Sequence, residues 1–120
     1  YCAKRGCIET WLSGPGIAAN FGDGTTATIE IVKRAEVGDA VAEAYMQRVE
    51  DRLARALATA INILDPDVIV LGGGVSNIAR LYSNVPKLLT KYVFSEFIET
   101  RIAQNIHGDS SGVRGAAWLW

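Results

Sequence analysis

Residues 64–77 read LDPDVIVLGGGVSN, and this stretch decides the fold class. Asp65-Pro66-Asp67 stops any helix arriving from upstream, because proline lacks the N–H a helix needs and its ring clashes with the preceding turn. Val68-Ile69-Val70-Leu71 is an unbroken apolar run of strand length, the pattern of a strand buried on both faces. It empties into Gly72-Gly73-Gly74, after which a helix is expected to open near Ser76-Asn77 and run towards Val93. A buried strand, bare backbone and a helix start make an α/β unit with room for a ligand. Glycine permits positive φ and removes the side chains that would hold a ligand away, and ligands of open α/β sheets sit beyond the strands' carboxyl ends. The spacing is neither the GxGxxG dinucleotide fingerprint nor a Walker loop, since no Gly-Lys-Ser/Thr follows. On spacing alone, a ligand contact and a plain tight turn both stay open.

Upstream of this unit the chain reads as helices. Gly38-Asp39 marks a start, Asp39 being a good N-cap, and the helix it opens is expected to run to about Leu64. Its apolar residues Val41, Tyr45, Val49, Leu53, Ala56, Leu57, Ala60, Ile61 and Leu64 recur at steps of three and four. Arg48, Glu50, Asp51, Arg52 and Arg55 fall mainly off that stripe, so the helix should pack on a sheet. Ala27–Glu36 reads as another helix, with Ile31, Val32 and Ala35 on one side. Residues 8–21 read as two short helices interrupted at Ser13-Gly14-Pro15-Gly16, and Gly22–Thr26 as a loop. Downstream, residues 98–106 should include a strand of the same sheet. His107–Gly112 is a polar loop, and Val113–Trp120 looks helical. His107 by itself indicates a loop residue. Arg114 could face a phosphate, but pairing with a carboxylate is the simpler expectation.

The first nine residues, YCAKRGCIE, hold both cysteines of the chain, with four residues between them. Two thiolates on a tight turn are half of a tetrahedral zinc site, which takes four ligands when structural. The single histidine, His107, lies far away in sequence, so the missing ligands lie before Tyr1 or there is no metal. A disulfide between Cys2 and Cys7 is the alternative, although paired cysteines on one turn suit a reducing compartment and a metal better. No methionine stands at position 1, and the chain is expected to be the C-terminal part of a longer protein.

Composition narrows the class. Hydrophobic residues make up 49% of the 120 and charged residues 21%, the balance of a folded globular domain. A formal net charge of -1 offers neither a basic face for nucleic acid nor a polybasic membrane anchor. The apolar runs are far shorter than the roughly 20 residues a membrane-spanning helix needs. One domain with no repeat and no low-complexity linker is expected, in a cytoplasmic protein.

Three segments together carry a resemblance. YCAKRGCIETWLSGPG resembles the cysteine-rich segment of the ROK family (repressors, open reading frames and sugar kinases), whose pattern is C-x-C-G-x-x-G-C-x-E followed by a Ser-Gly turn. LDPDVIVLGGGVSN looks like that family's strand-and-glycine segment. HGDSSGVRGAAWLW is especially similar to the ending of its bacterial fructokinases. The three occur in the family's order and span the chain.

The resemblance implies a ribonuclease-H-like α/β fold of the actin, Hsp70 and sugar-kinase superfamily, in which two domains close on ATP and a hexose. Residues 1–120 would be a partial second domain, helix-rich with a few strands. The implied function is the C-terminal part of an ATP-dependent hexose kinase, most simply a fructokinase acting on the 6-hydroxyl with Mg2+. A sugar-sensing ROK repressor is the alternative, and only that reading would bring in nucleic acid. Cys2 and Cys7 match the last two of the family's three zinc-binding cysteines; its first cysteine and its zinc-binding histidine would precede Tyr1. Ala3 stands where the family usually has glycine. Glu9, two residues after the last cysteine, matches a sugar ligand; without the resemblance it would be a surface carboxylate at a helix start. Gly72, Gly73 and Gly74 match the nucleotide-side glycines. The family's catalytic aspartate and phosphate loops would lie upstream, so no catalytic residue is expected here and the segment alone should be inactive. The family also implies a homodimer through this domain, with Trp11, Tyr82, Tyr92, Phe94 and Phe97 as candidate contacts.

Overall fold

Asp39 opens the helix on which the rest of the molecule packs. In the computed structural model, which describes residues 5–108 and 110–118, the chain runs through helices α1 (Glu9–Leu12), α2 (Gly14–Ala19), α3 (Thr28–Glu36) and α4 (Ala40–Leu64). Strand β1 (Val68–Leu71), helix α5 (Arg80–Leu89), strand β2 (Arg101–Gln104) and helix α6 (Ser111–Ala117) follow. The Asp39 carboxylate accepts from the backbone N–H groups of Val41 (2.9 Å) and Ala42 (3.1 Å), satisfying two donors that α4 itself leaves unpaired. Its other oxygen takes both Arg34 Nε (2.8 Å) and Nη2 (2.6 Å), which ties the end of α3 to the start of α4.

The core lies between α4 and the helices on either side of it. Ile17 of α2, Ile31 and Val32 of α3, Met46 and Val49 of α4, and Leu81 and Val85 of α5 are buried together. The buried stripe of α4 is rotated from the expected one. Val41 and Leu64, at the helix ends, are 67% and 72% exposed, while Ala42, Met46, Ala54 and Ala58 are buried. The reason is that α4 packs against α1, α3 and α5 instead of against a single sheet.

β1 and β2 pair in parallel, Val68 with Arg101 through Leu71 with Gln104, and α5 is the crossover between them. The strand in residues 98–106 is therefore where the pattern put it. The burial of β1 differs from expectation. Ile69 and Ile102 pack against the core, but Val68 and Val70 are 41% and 57% exposed. Alternate residues of a strand face opposite sides of the sheet, and among the described residues only one side is covered by helices.

The segment after the glycines also departs from the expected helix. Gly74–Asn77 is a 3-10 turn, Ile78 is extended, and α5 spans only Arg80–Leu89. The buried Ser76 sets this shape. Its hydroxyl donates to the Gly73 carbonyl (2.7 Å) and accepts from Asn105 Nδ2 (2.8 Å), while Tyr82 donates its hydroxyl to the Ser76 carbonyl (2.6 Å). Beyond α5 the chain turns, and Asn62 holds the turn by donating to Tyr92 O (3.1 Å) and accepting from Phe94 N (3.2 Å). No described helix is long and apolar enough to cross a membrane.

Candidate functional site

The glycine turn opens onto a groove. Gly74, Val75, Asn77, Ile78 and Ala79 form one wall, and Gly14 with Thr28, Ile29, Val32, Lys33 and Glu36 forms the other. Its volume is ≈ 380 Å³, within the range that takes a small organic ligand. The walls are mainly aliphatic, with Lys33, Glu36 and Asn77 supplying the polar groups. Such a slot suits a flat heteroaromatic ring with a polar edge. Of the three glycines Gly74 lines it, and Gly72 and Gly73 are exposed beside it. Gly73 has φ 70° and so needs glycine for its backbone alone. A Cβ on any of the three would meet nothing within 4 Å. Their bareness is thus not required by packing of the described residues.

Glu9 sits at the first position of α1, exposed to solvent. The turn before it is fixed by the Cys7 carbonyl, which accepts both the Thr10 N–H (3.0 Å) and the Thr10 hydroxyl (2.6 Å). α1 ends at Ser13, whose side chain caps α2 by accepting from Gly16 N (3.0 Å). Thr28 then donates its hydroxyl to Gly14 O (2.6 Å). The Glu9 turn and the groove therefore share one joint, Ser13-Gly14, although Glu9 does not line the groove. Tyr45 anchors this joint to α4 by donating its hydroxyl to Ile17 O (2.7 Å).

Cys7 is half-buried, and Cys2 lies outside the described residues. Among the described residues no three His, Cys, Asp or Glu side chains gather as metal ligands. These residues supply one cysteine sulfur two positions before Glu9, and they do not by themselves fit a closed zinc site. His107 and Arg114 line a shallow hollow with Gly115 and Trp118. Among the described residues no carboxylate pairs with Arg114, and Asp109, the nearest in sequence, lies outside them.

Two features escaped the sequence reading. The α3 wall of the groove is one; its only sign was Ile29, an apolar residue off the side that holds Ile31, Val32 and Ala35. The other is an ionic cluster between α4 and α5. Arg80 donates Nε to Glu50 (2.5 Å) and makes a fork to Glu43 (2.7 and 2.8 Å), while Asn84 also donates to Glu50 (3.0 Å). Glu50 is only 3% exposed. Hydrogen bonds from Arg80 hold the Glu43 carboxyl below its ordinary pKa, and those to Glu43 push the Arg80 guanidinium up. Glu50 carries a charge off the apolar stripe, so nothing in the pattern announced its burial. Of the aromatics considered as contacts, Phe94 and Phe97 are 84% and 82% exposed. Tyr82 and Tyr92 are half-buried, and Trp11 carries the Arg52 guanidinium 4.3 Å above its ring.

Comparison with known proteins gives this geometry relatives. The model of the ROK family matches residues 1–120. An N-acetyl-D-glucosamine kinase of Aliivibrio salmonicida is 41% identical over 121 residues, covering 98% of this chain and 40% of the relative. Another, of Photobacterium profundum, is 42% identical over 122 residues, again covering 98% and 40%. The chain thus spans about 40% of the length of the curated relatives it matches. A ROK family glucokinase from Streptomyces griseus, solved in complex with glucose and AMPPNP, superposes with a TM-score of 0.82 at 23% identity. That match covers 98% of this chain and 45% of the other, and it is a likeness of fold. That shared fold is the helix-rich α/β arrangement described above.

Proposed function

We propose, for a chain that belongs to the ROK family, that it is the C-terminal part of an ATP-dependent hexose kinase. One observation carries the reading: the strand-borne glycine turn opens on an apolar groove between Gly74–Ala79 and α3. The adenosine of ATP packs in that groove, against backbone at Gly74 and with Gly72 and Gly73 at its edge. Glu9 accepts hydrogen bonds from sugar hydroxyls, for which a carboxylate with two acceptor oxygens suits a vicinal pair. The γ-phosphoryl group of Mg-ATP passes to a hexose hydroxyl, the 6-hydroxyl by preference, and that step depends on positioning, magnesium and a carboxylate that accepts the proton. No residue of this chain is assigned the proton, so the segment alone is inactive. Its part is to hold both substrates in a cytoplasmic enzyme that pairs as a homodimer. Cys2 and Cys7 supply two thiolates to a structural zinc ion whose remaining ligands precede Tyr1. Bound zinc would stiffen the turn that carries Glu9, and loss of zinc from a Cys7→Ala variant, read by metal analysis, checks the assignment.

The ending HGDSSGVRGAAWLW favours fructose as the sugar, whereas the 41–42% identical relatives are N-acetyl-D-glucosamine kinases and favour that sugar instead. Phosphorylation by the full-length protein of fructose, glucose, mannose and N-acetyl-D-glucosamine decides between them. A Glu9→Gln variant should raise the KM for the preferred sugar by about 10-fold or more, the loss of a charged hydrogen-bond acceptor. Sugar binding without turnover of any hexose would instead support the repressor, which the kinase relatives do not favour.

A further inference from the structure

We infer that Asn20 is a positioning residue for the Glu9 carboxylate, an inference that rests on the reading of Glu9 as a sugar ligand. α1 is a four-residue helix whose N-cap residue, Ile8, makes no side-chain cap. A single turn has none of the cooperativity that holds longer helices, so its direction comes from what braces it. Asn20 is one such brace. Its side-chain amide gives one hydrogen to Thr10 O (3.0 Å), the residue after Glu9, and the other to Gly16 O (2.8 Å) in α2. Both partners are carbonyl acceptors, so only the NH2 group can face them.

Gly16 closes the same joint from the inside. A Cβ there would lie 2.7 Å from both Glu9 O and Thr10 O, so the two helices meet backbone to backbone. The fork from Asn20 spans that contact and sets the angle at which α1 leaves α2. Glu9 itself lies at the free, solvent-facing start of α1. Leu12, at the other end of α1, packs against the core, so a change of this angle moves the carboxylate about that anchored end.

The experiment uses the full-length protein, with Asn20→Ala, Glu9→Gln and the double variant, measuring kcat, the KM for sugar, the KM for ATP and the melting temperature. Asn20→Ala should raise the sugar KM by about 3- to 10-fold, the worth of a hydrogen-bonded brace, and leave the ATP KM unchanged. In the Glu9→Gln background the same substitution should have no further effect on the sugar KM, because residues acting as one unit are not additive. Gly16→Ala, whose Cβ would press on Glu9 O and Thr10 O, should raise the sugar KM as well, together with a lowered melting temperature because Gly16 is buried. A rise of equal size in both backgrounds, or a lowered melting temperature with an unchanged sugar KM, overturns the inference and leaves Glu9 standing. A sugar KM indifferent to Glu9→Gln overturns the Glu9 reading and the inference with it.

Discussion

Gly73 and Gly74 are adjacent and chemically identical, yet they serve different purposes. Gly73 is held at φ 70°, whereas Gly74 has an ordinary backbone and lines the groove. Gly73→Ala should therefore cost about 2 kcal/mol of stability, because φ 70° with ψ -177° is a backbone region essentially confined to glycine. Gly74→Val should leave the melting temperature nearly unchanged, since a Cβ there meets nothing within 4 Å and the groove leaves room beyond it. It should raise the ATP KM by about 10-fold or more by occupying space the proposed adenosine needs, a loss of over 1.4 kcal/mol. Thermal melting and steady-state kinetics separate the two effects, and a Gly74→Val enzyme with normal ATP KM would move the nucleotide away from this groove. The run of three glycines was legible as bare backbone, but spacing could not say which glycine serves the turn and which the opening. That division depends on Ser76 folding back onto Gly73, a contact with no periodic signature.

At the scale of elements, periodicity located the long helix and its Asp39 cap, and the hydrophobic run located β1. It failed where a charge is buried or a turn overrides a helix. Glu50 illustrates the first case. Placed off the apolar stripe, it is nonetheless enclosed because Arg80 and Asn84 of α5 reach it. Arg80→Leu would leave that carboxylate buried without its cation, at a cost of about 3 kcal/mol. Adding Glu50→Leu should recover more than half of the loss, since an apolar pair can replace a buried ionic one. Urea denaturation of the two variants measures both values. The cluster also predicts an acid response. Because Arg80 holds the folded-state pKa of Glu43 below its ordinary 4.5, its contribution is complete above that value and is lost as pH falls through the folded pKa. Stability should therefore drop more steeply below pH 4.5 in the parent than in Arg80→Leu, where only the hydrogen bond from Gln47 still lowers the Glu43 pKa.

For the whole molecule, the sheet is the informative part. Two parallel strands with helices on one side leave Val68 and Val70 on the other, facing outward. All-parallel sheets are found with both faces covered, and the continuous VIVL run has the pattern of a strand of that kind. The reading of sequence and the described structure differ here because burial is a property of everything that packs on a strand, and periodicity reports only the strand's own demand. If residues 1–120 are part of a two-domain kinase whose length the relatives suggest, that demand is met elsewhere in the protein. Val70→Cys in the full-length protein, on a Cys2→Ser/Cys7→Ser background, should then react with a thiol reagent at least about 100-fold more slowly than Val37→Cys, the protection expected of a site opening only by local unfolding. Val37 is the comparison because it is 85% exposed at the end of α3. Equal rates would mean that the face stays open to water in the complete protein, and that the apolar run of β1 answers to a partner bound from outside.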